Sequence, residues 1–311
     1  MKSATQLTRL RQSIGAAPLF TTTLPRIGNT LLQYALLMRV HRPIGIWLLM
    51  WPTLWALWIA GAGRPSQIVF ITFLAGIFLM RSAGCVINDY ADRDIDPFVA
   101  RTKDRPLAAR RVSPQEALLL FLALSMLAVG LVVTLNPLTQ LLAVIGAGLT
   151  VTYPFLKRVF PLPQLYLGAA FGMAVPMAFA AQTGELPRAA WLLFLAAVLW
   201  AGVYDTMYAM VDREDDVRLG VKSSAILFAD ADRFIIGIMQ LMVLLALGLI
   251  GHEHHMGLWY WLGLGAGALF FLWQQWLIRR REPEGCFRAF NNNNYFGMSI
   301  FVGILLNYQF S

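Results

Sequence analysis

Long apolar runs, broken by short polar turns, fill the chain from residue 44 to its end. There are nine of them, at roughly 44–60, 68–87, 116–135, 138–156, 164–181, 190–211, 233–250, 258–278 and 289–309. A bilayer core of about 30 Å needs ~20 apolar residues per helix, so each run has the length of a membrane span. The breaks carry turn chemistry, such as Asn136-Pro137, Pro161-Leu-Pro163 and Thr183-Gly184. The pattern predicts an all-α polytopic membrane protein with about nine transmembrane helices. Its organisation is read as an N-terminal segment over 1–35 and one transmembrane domain over 36–311. The first 29 residues hold Lys2, Arg9, Arg11 and Arg26 but no uninterrupted apolar stretch, so no cleaved signal peptide is expected. Their acid-free, Arg- and Thr-containing composition also fits a transit peptide.

Composition agrees with the pattern. Of the 311 residues, 58% are hydrophobic and 14% charged, with mean hydropathy +0.60. A soluble domain carries about 25% charged residues. The net charge of +8 does not point to nucleic acid, because Lys and Arg sit in short loops rather than on one continuous face. Such loops set topology and attract anionic headgroups. Of the loops between runs, the first, third, fifth and seventh hold only Arg64 and Arg188, whereas the N-terminus and the even loops carry most of the rest. The positive-inside rule then puts the N-terminus and the even loops in the cytoplasm. Cys85 and Cys286 are far apart and form no metal-ligand spacing; they are read as reduced and structural.

The acids change the picture. None precedes Asp89, and ten of the 17 fall in two windows: Asp89, Asp92, Asp94, Asp96 and Asp104, then Asp205, Asp212, Glu214, Asp215 and Asp216. Both windows end spans on the side read as cytoplasmic. If the second span stays helical to Asp96, then Asn88, Asp92 and Asp96 share a face at i, i+4, i+8; Asp205, Asp212 and Asp216 share one at i, i+7, i+11. An Asp at a membrane-helix centre costs about 2.5–3.5 kcal/mol, so such stripes belong near the interface or in a cavity with compensating cations. Oxygen donors without His or Cys favour Mg²⁺ over Zn²⁺, and Mg²⁺ prefers one or two carboxylates plus phosphate oxygens. Two carboxylate clusters facing one cavity suit a diphosphate clamped by Mg²⁺. A solvated loop would also mix acids and bases. Two matching stripes in a chain otherwise poor in acids favour the site. Tyr153 and Lys157, at i, i+4, lie on the same side, followed by Arg158, and Lys222 lies six residues past Asp216. A departing diphosphate needs such donors and fixed positive charge.

These motifs, Asn88-Asp89-x-x-Asp92-x-x-x-Asp96, Tyr153-x-x-x-Lys157 and Asp212-x-x-x-Asp216 followed by Lys222-Ser223, resemble the UbiA superfamily of intramembrane aromatic prenyltransferases. Arg42-Pro-Ile-Gly45, Trp51-Pro-Thr-Leu-Trp-Ala-Leu-Trp58, Tyr204-Asp-Thr-x-Tyr-Ala-Met-Val-Asp-Arg213 and Phe290-Asn-Asn-Asn-Asn294 look like its 4-hydroxybenzoate polyprenyltransferase branch. One departure is Ala108-Ala-Arg-Arg111, where such enzymes often carry a Pro and a Gly. The resemblance implies a ring of helices around a cavity open to lipid. It implies Mg²⁺ held by Asn88, Asp92, Asp96, Asp212 and Asp216, with Asp89 counted beside them, on a polyprenyl diphosphate. Tyr153, Lys157, Arg158 and Lys222 would contact that diphosphate, with Arg93 and Arg213 added from the windows. Arg39 or Arg42 would take the carboxylate of 4-hydroxybenzoate, and Asp205 would polarise its phenol. The expected setting is a bacterial inner membrane, with a mitochondrial inner membrane as the alternative. Two rival readings stay open: another acceptor (a quinone precursor, haem or a chlorophyll-type ring), or a cation- or proton-coupled transporter. Transporter acids usually lie near the bilayer midplane, whereas these lie at one face.

Overall fold

The computed structural model describes residues 29–98, 102–156, 160, 162–220 and 222–310. Each apolar run falls on helix. A helix over 29–37 (α1) crosses the residue-35 boundary read from the sequence. It is followed by α2 (Ile44–Ala60), α3 (Gln67–Ala91), α4 (Pro114–Val132), α5 (Pro137–Leu156), α6 (Pro163–Gly172), α7 (Ala174–Thr183), α8 (Arg188–Leu219), the short α9 (Ser224–Phe228), α10 (Asp232–Glu253), α11 (Leu258–Leu277) and α12 (Pro283–Phe310). The fifth run is split at Met173 into α6 and α7. Pro176 has no N–H to give the carbonyl of Gly172, and its ring crowds that carbonyl. Among the described residues, seven helices, counting α6–α7 as one, are long and apolar enough to cross a membrane. Helix α2 is apolar but has only 17 residues, and α12 has 28 but carries the Asn291–Asn294 run. The protein is an integral membrane protein, and length and apolarity alone do not fix the number of crossings at nine.

Consecutive helices are neighbours, and α12 closes the ring by packing on α2, α8 and α11. Helices α4 and α5 touch only sparingly. The outward face is studded with exposed Leu, Ile, Val and Phe, as lipid requires. The side chains of Asn292, Asn293 and Asn294 on α12 find partners on neighbouring helices. The Trp51 and Trp200 indoles donate to Asn294 and Asn293 at 2.9 and 2.8 Å, and Gln274 donates to Asn292 at 3.1 Å. The asparagine run thus ties α12 to α2, α8 and α11. In an apolar medium a polar side chain left without a partner is costly, so these bonds select one helix rotation. Gly297 faces the Trp51 and Trp200 rings so closely that any Cβ there would overlap them. Gly263 and Gly303 let the α11 and α12 backbones approach in the same way.

Candidate active site

The ring encloses a cavity of about 1070 Å³. Asn88, Asp92 and Asp96 line it from the end of α3, and Asp205, Asp212, Asp215 and Asp216 line it from α8. Tyr153 reaches it from α5 and Lys222 from the turn after α8. The two acid windows, 116 residues apart at Asp96 and Asp212, therefore share one space. An apolar stretch of its wall extends between α4 and α5 past Phe121, Ala128, Val132 and Gly146.

Helix α3 does not run to Asp96 as the spacing predicts. It ends at Ala91, and Asp92 caps it, its N–H donating to Asn88 O at 3.0 Å. A turn follows and a 3-10 helix covers Asp96–Phe98. Asp side chains compete for nearby backbone groups, and Pro97 disfavours a continued α-helix at the residue before it, Asp96. The carboxylates still reach the same cavity, because Asp96 N donates to Asp92 O at 2.8 Å and keeps one more helical turn. Burial raises the Asp96 carboxyl above the usual carboxylate range. Arg105 pulls it back down, and Asp89 and Asp92 push it further up.

Several residues read as ligand contacts are engaged elsewhere. Asp89, counted among the metal ligands, and Arg39, placed on the aromatic acid, are paired with each other. Arg105 also reaches Asp89, at 3.1 Å, and Asp96, at 2.8 Å. Arg93 lies over the Tyr90 ring, 4.7 Å from its centroid, and Arg213 bonds Asp232; neither lines the cavity. On α8 a residue next to a cavity-facing Asp is turned about 100° around the helix, which takes the Arg213 guanidinium off the wall. Arg42 is exposed at the cavity mouth. Lys157 and Arg158 lie outside the described residues.

Two arginines that sequence reading passed over belong to the site. Arg81 is on α3, seven residues before Asn88 and on its face, inside the cavity and packed where Gly45 leaves room. Its guanidinium carbon is 6.0 Å from the Phe171 centroid. A signal was present: Arg81 is the one charged residue in the run 68–87, and a charge inside a span is costly unless used. Arg105 had no such signal, being one of several loop arginines. The loop after it is shaped by Arg110 at φ +56°, the left-handed conformation a glycine would take without strain.

Among the described residues, no three acidic, His or Cys side chains stand close enough to hold an ion alone. The donor set fits Mg²⁺ shared with phosphate, since that ion takes one or two carboxylates and fills its other positions with phosphate oxygens or water.

The chain matches the model of the UbiA prenyltransferase family over residues 49–301. It belongs to that family. It is 61% identical over 278 residues to the 4-hydroxybenzoate octaprenyltransferase of Nitrosococcus oceani, covering 89% of this chain and 98% of that protein. The protein of that name from Alkalilimnicola ehrlichii is 57% identical, covering 88% and 94%. Among solved structures, a UbiA homologue from Aeropyrum pernix K1 superposes with TM-score 0.72 at 26% identity, over 82% of this chain and 97% of that one. A UbiA homologue from Archaeoglobus fulgidus bound to GPP and Mg²⁺ gives 0.69 at 17% identity, over 88% and 99%, a likeness of fold.

Proposed function

We propose that this chain transfers a polyprenyl group from polyprenyl diphosphate to the ring carbon of 4-hydroxybenzoate ortho to its phenol, a step of ubiquinone biosynthesis. The reading is carried by one observation: both acid windows and Lys222 open on a single cavity, and an apolar stretch of its wall runs between two membrane helices. The names of relatives at 55–61% identity support the choice of donor and acceptor. The described residues that line the site run from Leu36 to Phe290, within the transmembrane domain read over 36–311.

Asn88, Asp92, Asp96, Asp212 and Asp216 are the groups to hold Mg²⁺, which when bound would neutralise the diphosphate and act as a Lewis acid on it. Lys222 and Tyr153, with Lys157 and Arg158 as further candidates, donate to the diphosphate oxygens as they gain charge. The C–O bond of the donor breaks with its electron pair going to diphosphate. The apolar wall between α4 and α5 takes the prenyl tail and keeps water from the electron-poor allylic carbon. Asp205 polarises the phenol, whose ortho carbon forms the new C–C bond and then loses its proton to a base. Arg81, inside the cavity with Arg42 at its mouth, is the stronger candidate for the benzoate carboxylate, because Arg39 is already held by Asp89.

Membranes containing the protein should convert 4-hydroxybenzoate and a polyprenyl diphosphate to prenylated acid only when Mg²⁺ is present. Product formed equally well from a naphthoate or a haem, and not from 4-hydroxybenzoate, would overturn the assignment. The Lys and Arg asymmetry supports a cytoplasmic site in a bacterial inner membrane. A reporter fused after Asp104 should read cytoplasmic and one after Glu185 should read external; the same side for both would refute that topology.

A further inference from the structure

Among the described residues, two carboxylates are each gripped by a pair of arginines: one group is part of the cavity wall beside the first acid window, and the other lies off the cavity behind the second. Asp89 takes Arg39 and Arg105. Asp232, at the start of α10 and with no exposed surface, takes Arg213 and Arg281. Arg281 approaches with Nε at 3.0 and 3.1 Å and Nη2 at 2.9 Å, and it also donates to Asp230 O at 2.7 Å. The cluster joins the ends of α8 and α10 to the turn between α11 and α12.

Helix α8 has 32 residues, about 48 Å at 1.5 Å per residue, against a bilayer core of about 30 Å. Its last turns, which carry Asp212 and Asp216, therefore outrun the apolar slab and need some other restraint. Arg213 sits between those two aspartates in sequence and is turned off the cavity onto Asp232. We infer that Asp232 is a positioning residue: through Arg213 it sets where Asp212 and Asp216 stand, and Arg281 holds Asp232 in place. At the first window Arg105 bridges Asp89 to Asp96 within the cavity wall itself, so only the second window has a carboxylate set behind it. This inference rests on the functional reading above.

The test uses the full chain in lipid nanodiscs. Mg²⁺ is titrated against binding of farnesyl diphosphate with no acceptor present, read by tryptophan fluorescence, and against the rate with 4-hydroxybenzoate added. Asp232→Asn should raise the half-saturating Mg²⁺ about tenfold, as removal of a partner behind a metal ligand does, with the 4-hydroxybenzoate KM unchanged. Arg281→Lys should move it the same way by less. A packing role alone lowers the amount of active protein and its melting temperature but not the half-saturation point. Wild-type half-saturation in Asp232→Asn therefore overturns the inference, whatever happens to stability. Should that variant fail to insert, Asp232→Glu replaces it: the charge is kept but displaced by a methylene, and an unshifted Mg²⁺ dependence counts against the inference equally. A wild-type protein whose donor binding ignores Mg²⁺ would overturn the functional reading, and this inference with it.

Discussion

Asp92→Ala and Asp212→Ala should each lower prenyl transfer at least ~100-fold while leaving the protein inserted and folded. Loss of a residue merely behind a metal ligand costs about 10–100-fold, so loss of a ligand should cost no less. Both side chains line the cavity rather than a packed interior, so their removal opens space next to existing space and leaves the helix contacts intact. Initial rates at saturating Mg²⁺, with EDTA as control and size-exclusion profiles as the check on folding, decide the matter. Substantial turnover in either variant, or full activity of the wild type in EDTA, refutes a Mg²⁺ clamp built from both windows.

Arg81→Met should raise the KM for 4-hydroxybenzoate roughly 10- to 100-fold, the equivalent of a charge-assisted pair worth about 1.5–3 kcal/mol, with the donor KM little changed. The expectation follows from where the cations are. Arg39 shares Asp89 with Arg105, and Arg42 is at the exposed mouth. Arg81 lies within the wall on the face that carries Asn88, so a carboxylate beside it would be shielded from water. Arg81→Lys should recover only part of the loss, since an ammonium cannot match the two-pronged geometry of a guanidinium on a carboxylate. Arg42→Lys is the comparison, and it should shift the benzoate KM less. Were the methyl ester prenylated as well as the free acid, or the benzoate KM unmoved in Arg81→Met, carboxylate docking on Arg81 would be wrong even with the reaction class intact.

How much of this was legible beforehand differs between the fold and the site. The run 44–60 coincides with α2, and the other runs end within a few residues of their helices, except that α8 continues eight residues past 211 and α12 begins six residues before 289. The Asp stripes were found by spacing alone, although the helix under the first one stops at Ala91. The arginines were read much less well. Arg213 looked like a diphosphate contact because it adjoins Asp212, yet it serves Asp232, 19 residues on. Arg39 was expected on the benzoate carboxylate, yet it is paired with Asp89, 50 residues away.

By itself, the sequence determined the membrane class, the helix positions, the two acid windows and the membrane face they share. Those depend on how each residue, taken singly, is solvated by lipid or water, and that preference is written locally along the chain. Only the tertiary structure decided which cation meets which carboxylate, which polar side chains of α12 face inward, and that Arg81 rather than Arg39 stands unclaimed by Asp89 in the cavity. Those are properties of pairs brought together from distant turns. In a low-dielectric interior the pairing is selected by the cost of leaving a charge or amide without a partner, and that cost is set by the packed neighbours, not by the neighbours in sequence.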